Sequence, residues 1–129
     1  MYLIGSKLST ALRVAAWACV VLLAVLSLMP GEWRANVSGA SGKLEHIAAY
    51  FGATLCVGLA YRTRLGRRSL ILSLIFYAAI LEVGQIYVPS RTASAWDFSA
   101  SAAGVIAGAV ALPLAWRAFV TAVAAMSRQ

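Results

Sequence analysis

The chain has 129 residues, of which 62% are hydrophobic and only 12% are charged. The charged share is about half of that in an ordinary soluble domain, so too few polar side chains remain to cover a soluble fold. This composition excludes a typical soluble protein and predicts an integral membrane protein with a single domain. The net charge of +7 comes from short basic clusters between apolar runs, which favours contact with anionic lipid headgroups over nucleic-acid binding.

Four apolar segments are long enough to cross a bilayer, whose core of about 30 Å needs roughly 20 helical residues. They cover residues 11–29, 46–61, 69–88 and 98–120. The first segment follows basic residues, as a secretory signal would, but it is long for a signal and no small-x-small cleavage site follows it. We therefore expect an all-α bundle of four transmembrane helices.

Basic residues are distributed unequally between the connections. With four spans, the N-terminus, the turn at residues 62–68 and the C-terminus share one side, which carries Lys7, Arg13, Arg62, Arg64, Arg67, Arg68, Arg117 and Arg128. The opposite side, which includes the loop at residues 30–43, carries Arg34, Lys43 and Arg91. The excess of basic residues, eight on the first side against three on the second, predicts that the N- and C-termini are cytoplasmic and that Trp33 and Trp96 lie at the outer interface.

Small and sulfur-containing residues within the segments are assigned to packing. Gly104 and Gly108 are four residues apart on the fourth segment, a spacing that lets a neighbouring helix approach closely, within the monomer or in a dimer. We expect the packing to be within the monomer. Cys19 and Cys56 lie inside apolar segments, and their spacing indicates neither a metal site nor a disulfide framework.

Ionisable residues gather at the predicted outer ends of the second, third and fourth segments: Lys43, Glu45, His46, Glu82, Arg91 and Asp97. On a helix, Lys43, His46 and Tyr50 share one face, and Glu82 shares a face with Gln85. At about 1.5 Å per residue, Glu82 lies roughly 10 Å below the outer boundary.

The depth of Glu82 indicates what its surroundings must provide. An unpaired carboxylate there would cost several kcal/mol, so we expect it to be protonated, to pair with Lys43, His46 or Arg91, or to face a water-filled recess. An ionisable group at that depth is a candidate for function. The alternative is a polar clamp, in which Glu82 and Gln85 bond to neighbouring helices and only hold the bundle together.

These residues and their spacing resemble the VanZ-like family of small polytopic bacterial membrane proteins. The stretch "GKLEHIAAY" keeps the Lys, His and Tyr that open the second helix of that family. The stretches "EVGQIYVPSR" and "WDFSASAAG" match its later elements at Glu82, Gln85, Pro89, Arg91, Asp97 and Gly104. Gly42 and Ser101 stand where the family often has Asp and Asn, and the resemblance covers about residues 27–111.

The resemblance implies a multi-pass protein of the bacterial cytoplasmic (inner) membrane, with a role in the cell envelope. The naming member of the family is associated with resistance to teicoplanin, an antibiotic, but it supplies no chemical mechanism for these residues. We therefore expect an outward-facing site for an anionic envelope component, such as a lipid-linked precursor, or for a lipophilic glycopeptide. The expected ligand-binding residues are Lys43, His46, Tyr50, Glu82, Gln85, Arg91, Asp97 and Ser101.

Two other functions compete with this one. The chain could be a structural accessory subunit that packs against a membrane protein partner, or an enzyme that modifies a lipid with His46 and Glu82 as acid and base. No activated Ser or Cys nucleophile accompanies that pair. The spacing of the acids and the histidine matches no familiar zinc motif, and two cations stand close by, so we expect no metal and no other cofactor.

Overall fold

A computed structural model of the chain describes residues 2–30, 42–62 and 64–126, with side chains from Lys7 onward. These residues form four α-helices and one 3₁₀ turn, and the described part contains no β-strand. The helices are α1 (Tyr2–Leu28), α2 (Gly42–Tyr61), α3 (Arg67–Gly84) and α4 (Ala95–Met126), and the 3₁₀ turn at Gln85–Tyr87 follows α3. All four helices are long and apolar enough to cross a membrane, which confirms the predicted all-α class and the predicted number of helices with that length and apolarity.

The helix ends differ from the predicted ones because the prediction followed the apolar runs. Helix α1 begins at Tyr2 rather than at residue 11, and α4 ends at Met126 rather than at residue 120. The added residues include Lys7 and Leu8 in α1 and Ala122, Ala124 and Ala125 in α4, which favour helix whether or not they lie in lipid. Most of the predicted loop at 30–43, including Trp33 and Arg34, lies outside the described residues, as does Arg128.

Helix α2 is the centre of the bundle, since it packs against the other three helices and most extensively against α4. Gly104 and Gly108 are buried on the α4 face that meets α2. A Cβ atom at position 104 would overlap the Ile47 carbonyl oxygen, and one at position 108 would lie 2.8 Å from the Thr54 Cβ. The two glycines therefore let the backbones of α2 and α4 approach closely within one chain.

The outer surface of the bundle is apolar. On α1, Val14, Val21 and Leu22 are exposed, and on α3, Leu72 and Phe76 are more than two-thirds exposed. In water, such a continuous apolar surface would drive association, whereas lipid tails can cover it at no cost. The surface is therefore compatible with a bundle that spans a membrane.

Polar contacts tie α1 to its two neighbours. The Tyr77 hydroxyl donates to the Val20 carbonyl at 2.7 Å, and Trp17 Nε1 donates to the Tyr61 hydroxyl at 2.9 Å. The thiols of Cys19 and Cys56 also lie near each other, a proximity that their positions in the sequence did not indicate. The two hydrogen bonds therefore help to hold α1 against α2 and α3.

Oxidation should join Cys19 to Cys56 within one chain, because their thiols face each other across the α1–α2 interface. Treatment with copper phenanthroline should remove both thiols from labelling by a maleimide after denaturation, and dithiothreitol should restore them. In Cys56→Ser, Cys19 should stay labelled. Two labelled thiols in the oxidised wild-type chain would contradict the described register of α1 on α2.

Candidate functional site

The ends of all four helices meet at one end of the bundle, here called the polar end. Helices α1 and α3 finish there, and α2 and α4 begin there. The polar end carries all the predicted ligand-binding residues: Lys43, His46, Tyr50, Glu82, Gln85, Arg91, Asp97 and Ser101. The fold therefore brings residues from three sequence segments to one place.

A hydrogen bond between α2 and α4 lies at the centre of the polar end. His46 Nδ1 and Ser101 Oγ are 3.1 Å apart, and both residues are buried. The Ser101 hydroxyl donates to the Asp97 carbonyl, one helical turn earlier, at 3.0 Å. The Ser101 oxygen accepts from His46 when the ring proton is on Nδ1, and the hydroxyl then donates to Asp97.

Glu82 joins α3 to the start of α4. Its Oε1 accepts a hydrogen bond from the Ser94 backbone N–H at 2.5 Å, and only 8% of the residue is exposed. Ser94 is the N-cap of α4, because its carbonyl accepts from Phe98 N–H and its hydroxyl from Asp97 N–H. In a usual capping box, the acid at the third helical position accepts a hydrogen bond from the backbone N–H of the N-cap residue. In this helix that position is Asp97, but the N–H of Ser94 donates to Glu82 instead.

The main-chain partner of Glu82 was not among the expected ones. From the sequence we expected Glu82 to be protonated, to pair with Lys43, His46 or Arg91, or to face a water-filled recess, whereas this bond goes to a backbone amide of the connection before α4. Such a bond satisfies one oxygen of a buried carboxylate without a counter-ion. The only signal for it in the sequence is Ser94, three residues before Asp97, which is typical of a helix start.

Gln85 is the most enclosed polar residue of the polar end. It is 2% exposed, and its Nε2 has no hydrogen-bond acceptor among the described residues. It lies one turn after Glu82, and Tyr50 on α2 is equally buried. A buried amide donor without an acceptor costs about 1–3 kcal/mol, and such a donor is commonly satisfied by a water molecule or a ligand.

The two cations lie at the rim. Lys43 is exposed, and its Nζ lies 5.5 Å from the centroid of the Trp96 ring, a cation–π geometry that holds the ammonium beside α4. Arg91 is half-buried, and its Nη2 donates to the Ser27 carbonyl at 3.3 Å, at the end of α1. The turn before Arg91 contains Ser90 with a φ of 63°, a left-handed conformation that directs the chain back towards α1.

The two residues suggested as acid and base, His46 and Glu82, each have another partner. His46 bonds to Ser101 and Glu82 bonds to Ser94, so these bonds tie the suggested acid and base to different partners. Within the described residues, no three His, Cys, Asp or Glu side chains are grouped closely enough to hold a metal ion. The described contacts of the polar end are hydrogen bonds and a cation–π contact.

No protein-family model, curated protein or solved structure matches the chain. Its function is therefore inferred from the residues of the polar end, together with the spacing of those residues in the sequence.

Proposed function

We propose that the chain is a VanZ-like, multi-pass protein of the bacterial cytoplasmic membrane that binds an anionic amphiphile at its polar end. The ligand is an anionic envelope component, such as a lipid-linked precursor, or a lipophilic glycopeptide. The polar end faces outward and both termini lie in the cytoplasm, which agrees with the excess of basic residues at the opposite end.

The observation that carries this proposal is the buried amide of Gln85. Its Nε2 has no acceptor among the described residues, although leucine or methionine would fill the same volume without an unsatisfied donor. A phosphate or carboxylate oxygen of a ligand would accept from this donor, and that bond would be charge-assisted and so stronger than a neutral one.

The cations at the rim support the same ligand class. The Arg91 guanidinium lies at the rim of the polar end, where its Nη2 bonds to the Ser27 carbonyl. A planar guanidinium matches phosphate or carboxylate in a bidentate way, while the Lys43 ammonium acts as a point charge. The apolar outer surface beside these groups would hold the hydrocarbon part of the amphiphile within the membrane.

The role of accessory subunit is the second candidate, and two contacts favour it. The bonds from His46 to Ser101 and from Glu82 to Ser94 join different helices or their connections, as in a polar clamp. Gly104 and Gly108, however, are engaged by α2 of the same chain. A partner protein would therefore have to bind another surface of the bundle.

Binding of a polyisoprenyl phosphate to the full chain in detergent micelles tests the proposal. The neutral polyisoprenol of equal length should bind at least tenfold more weakly, because it lacks the charge that Gln85 and Arg91 recognise. Arg91→Gln should lower the affinity for the phosphate by about tenfold, since it removes one charge-assisted contact.

The matched control is Arg64→Gln, which removes an exposed arginine at the opposite end of the bundle and should leave the affinity unchanged. Equal binding of phosphate and alcohol would refute the ligand class. Equal effects of the two arginine variants would show that the protein attracts anions without a site at the polar end.

A further inference from the structure

A groove opens between α1, α2 and α3 towards the end of the bundle opposite the polar end. Its volume is about 440 Å³, and its wall includes Trp17, Val20, Val57 and Leu74. The polar groups of Trp17 and of Tyr77 at its edges donate to partners inside the protein. The wall is therefore apolar, and it suits a hydrocarbon chain rather than a polar ligand.

Arg13 lies beside this groove, next to one of its lining residues, Tyr61. Arg13 precedes Trp17 by one helical turn, and its guanidinium carbon is 6.0 Å from the centroid of the Tyr61 ring. Arg13 Nε is buried and has no acceptor among the described residues. A cation with an unsatisfied donor therefore lies beside the groove.

Among the described residues, no side-chain carboxylate lies near this cation. Glu45, Glu82 and Asp97, the three acids among the described residues, lie at the polar end. Arg13 is 14 residues before Ser27, whose carbonyl marks the polar end on α1, a separation of about 21 Å along the helix axis. The turn that joins α2 to α3 adds further positive charge through Arg62, Arg64, Arg67 and Arg68.

We infer that this groove is a binding site for an anionic phospholipid, with one acyl chain between α1, α2 and α3 and the phosphate bound by Arg13. The positive charge of Arg13 favours an anionic headgroup, and the apolar wall of the groove favours an acyl chain. The site is independent of the polar end and of the ligand proposed there. A diffuse attraction of anionic lipid to the basic turn would use every arginine alike, whereas this site depends on Arg13 and on the shape of the groove.

The test uses Trp17, which lines the groove, as a fluorescent reporter. The full chain with Trp33→Phe, Trp96→Phe and Trp116→Phe is placed in phosphatidylcholine vesicles that contain increasing amounts of either phosphatidylglycerol or phosphatidylcholine with brominated acyl chains. Brominated phosphatidylglycerol should quench Trp17 at about fivefold lower mole fraction than brominated phosphatidylcholine. In Arg13→Gln this preference should fall to about one, as expected for the loss of one basic contact.

Two further variants make the result specific. Arg64→Gln removes an equal charge from the exposed part of the basic turn and should keep the fivefold preference. Val20→Phe fills the groove while it keeps every cation, and should lower quenching by both brominated lipids. Equal effects of Arg13→Gln and Arg64→Gln, or unchanged quenching in Val20→Phe, would overturn the proposal. If Arg13→Gln does not fold, two measurements test the proposal: the preference of the chain with Arg13 for brominated phosphatidylglycerol tests the headgroup, and the loss of quenching in Val20→Phe tests the groove.

Discussion

Replacement of Gly104 by alanine should lower the free energy of unfolding by about 2–3 kcal/mol, although it adds a single methyl group. The new Cβ would overlap the backbone carbonyl oxygen of Ile47 on α2, and a backbone atom cannot move aside as the end of a side chain can. The two helices that pack most extensively would have to separate, and excess volume in a tight interface is destabilising by amounts of this order.

A graded set of glycine variants checks this result by unfolding in a mixed-micelle SDS titration. Gly52→Ala is the matched control, because nothing lies within 4 Å of a Cβ at that position, and it should be neutral or stabilise the helix by up to about 1 kcal/mol. Gly58→Ala meets only the ends of leucine side chains, the closest being that of Leu112, and should fall between the two. The same midpoint for Gly104→Ala and Gly52→Ala would contradict the close approach of α2 and α4.

Replacement of Gln85 by leucine should separate stability from ligand binding. The variant removes a buried Nε2 donor that has no acceptor among the described residues, so the free energy of unfolding should stay the same or rise by about 1 kcal/mol. The affinity for polyisoprenyl phosphate should fall at least tenfold, because the charge-assisted bond to the phosphate is lost. Unfolding and binding are measured on the same preparation.

The opposite pair of results would identify a polar clamp. If Gln85 only holds the helices together, its replacement should destabilise the bundle and leave any binding unchanged. The control is Thr92→Val, which replaces an exposed polar residue between the 3₁₀ turn and α4 by an apolar one. It should alter neither the free energy of unfolding nor the affinity. A destabilised Gln85→Leu with wild-type affinity would therefore favour the accessory-subunit role.

The number and order of the helices could be predicted from the sequence, because each span is a long apolar run bounded by turn-forming or basic residues. The helix ends could not, since polar residues around Lys7 belong to α1 before its apolar run begins, and no turn-forming residue between residues 120 and 126 marks the end of α4. The proximity of Cys19 to Cys56 could not be predicted either. It depends on how α1 is rotated and shifted against α2, and an apolar helix surrounded by lipid carries no pattern that fixes its rotation.

At the candidate site, the sequence indicated which residues lie at one end of the bundle but not which atoms meet. The spacing of His46 and Tyr50 predicted a shared face, and both are buried. The bond from His46 to Ser101 and the bond from Glu82 to Ser94 link residues 55 and 12 positions apart. Such partners are set by the rotation and depth of each helix, and a single sequence contains no direct record of either.

The bond between Glu82 and Ser94 also has a consequence for the order of assembly. The first turn of α4 receives one of its capping partners from α3, so α4 alone would enter the membrane with an incomplete start. We expect α3 and α4 to form as a helical hairpin, in which the connection at residues 88–94 is shaped only when both helices are in place. An isolated fragment of α4 would then fray at its beginning, and α3 supplied as a separate chain would restore that turn.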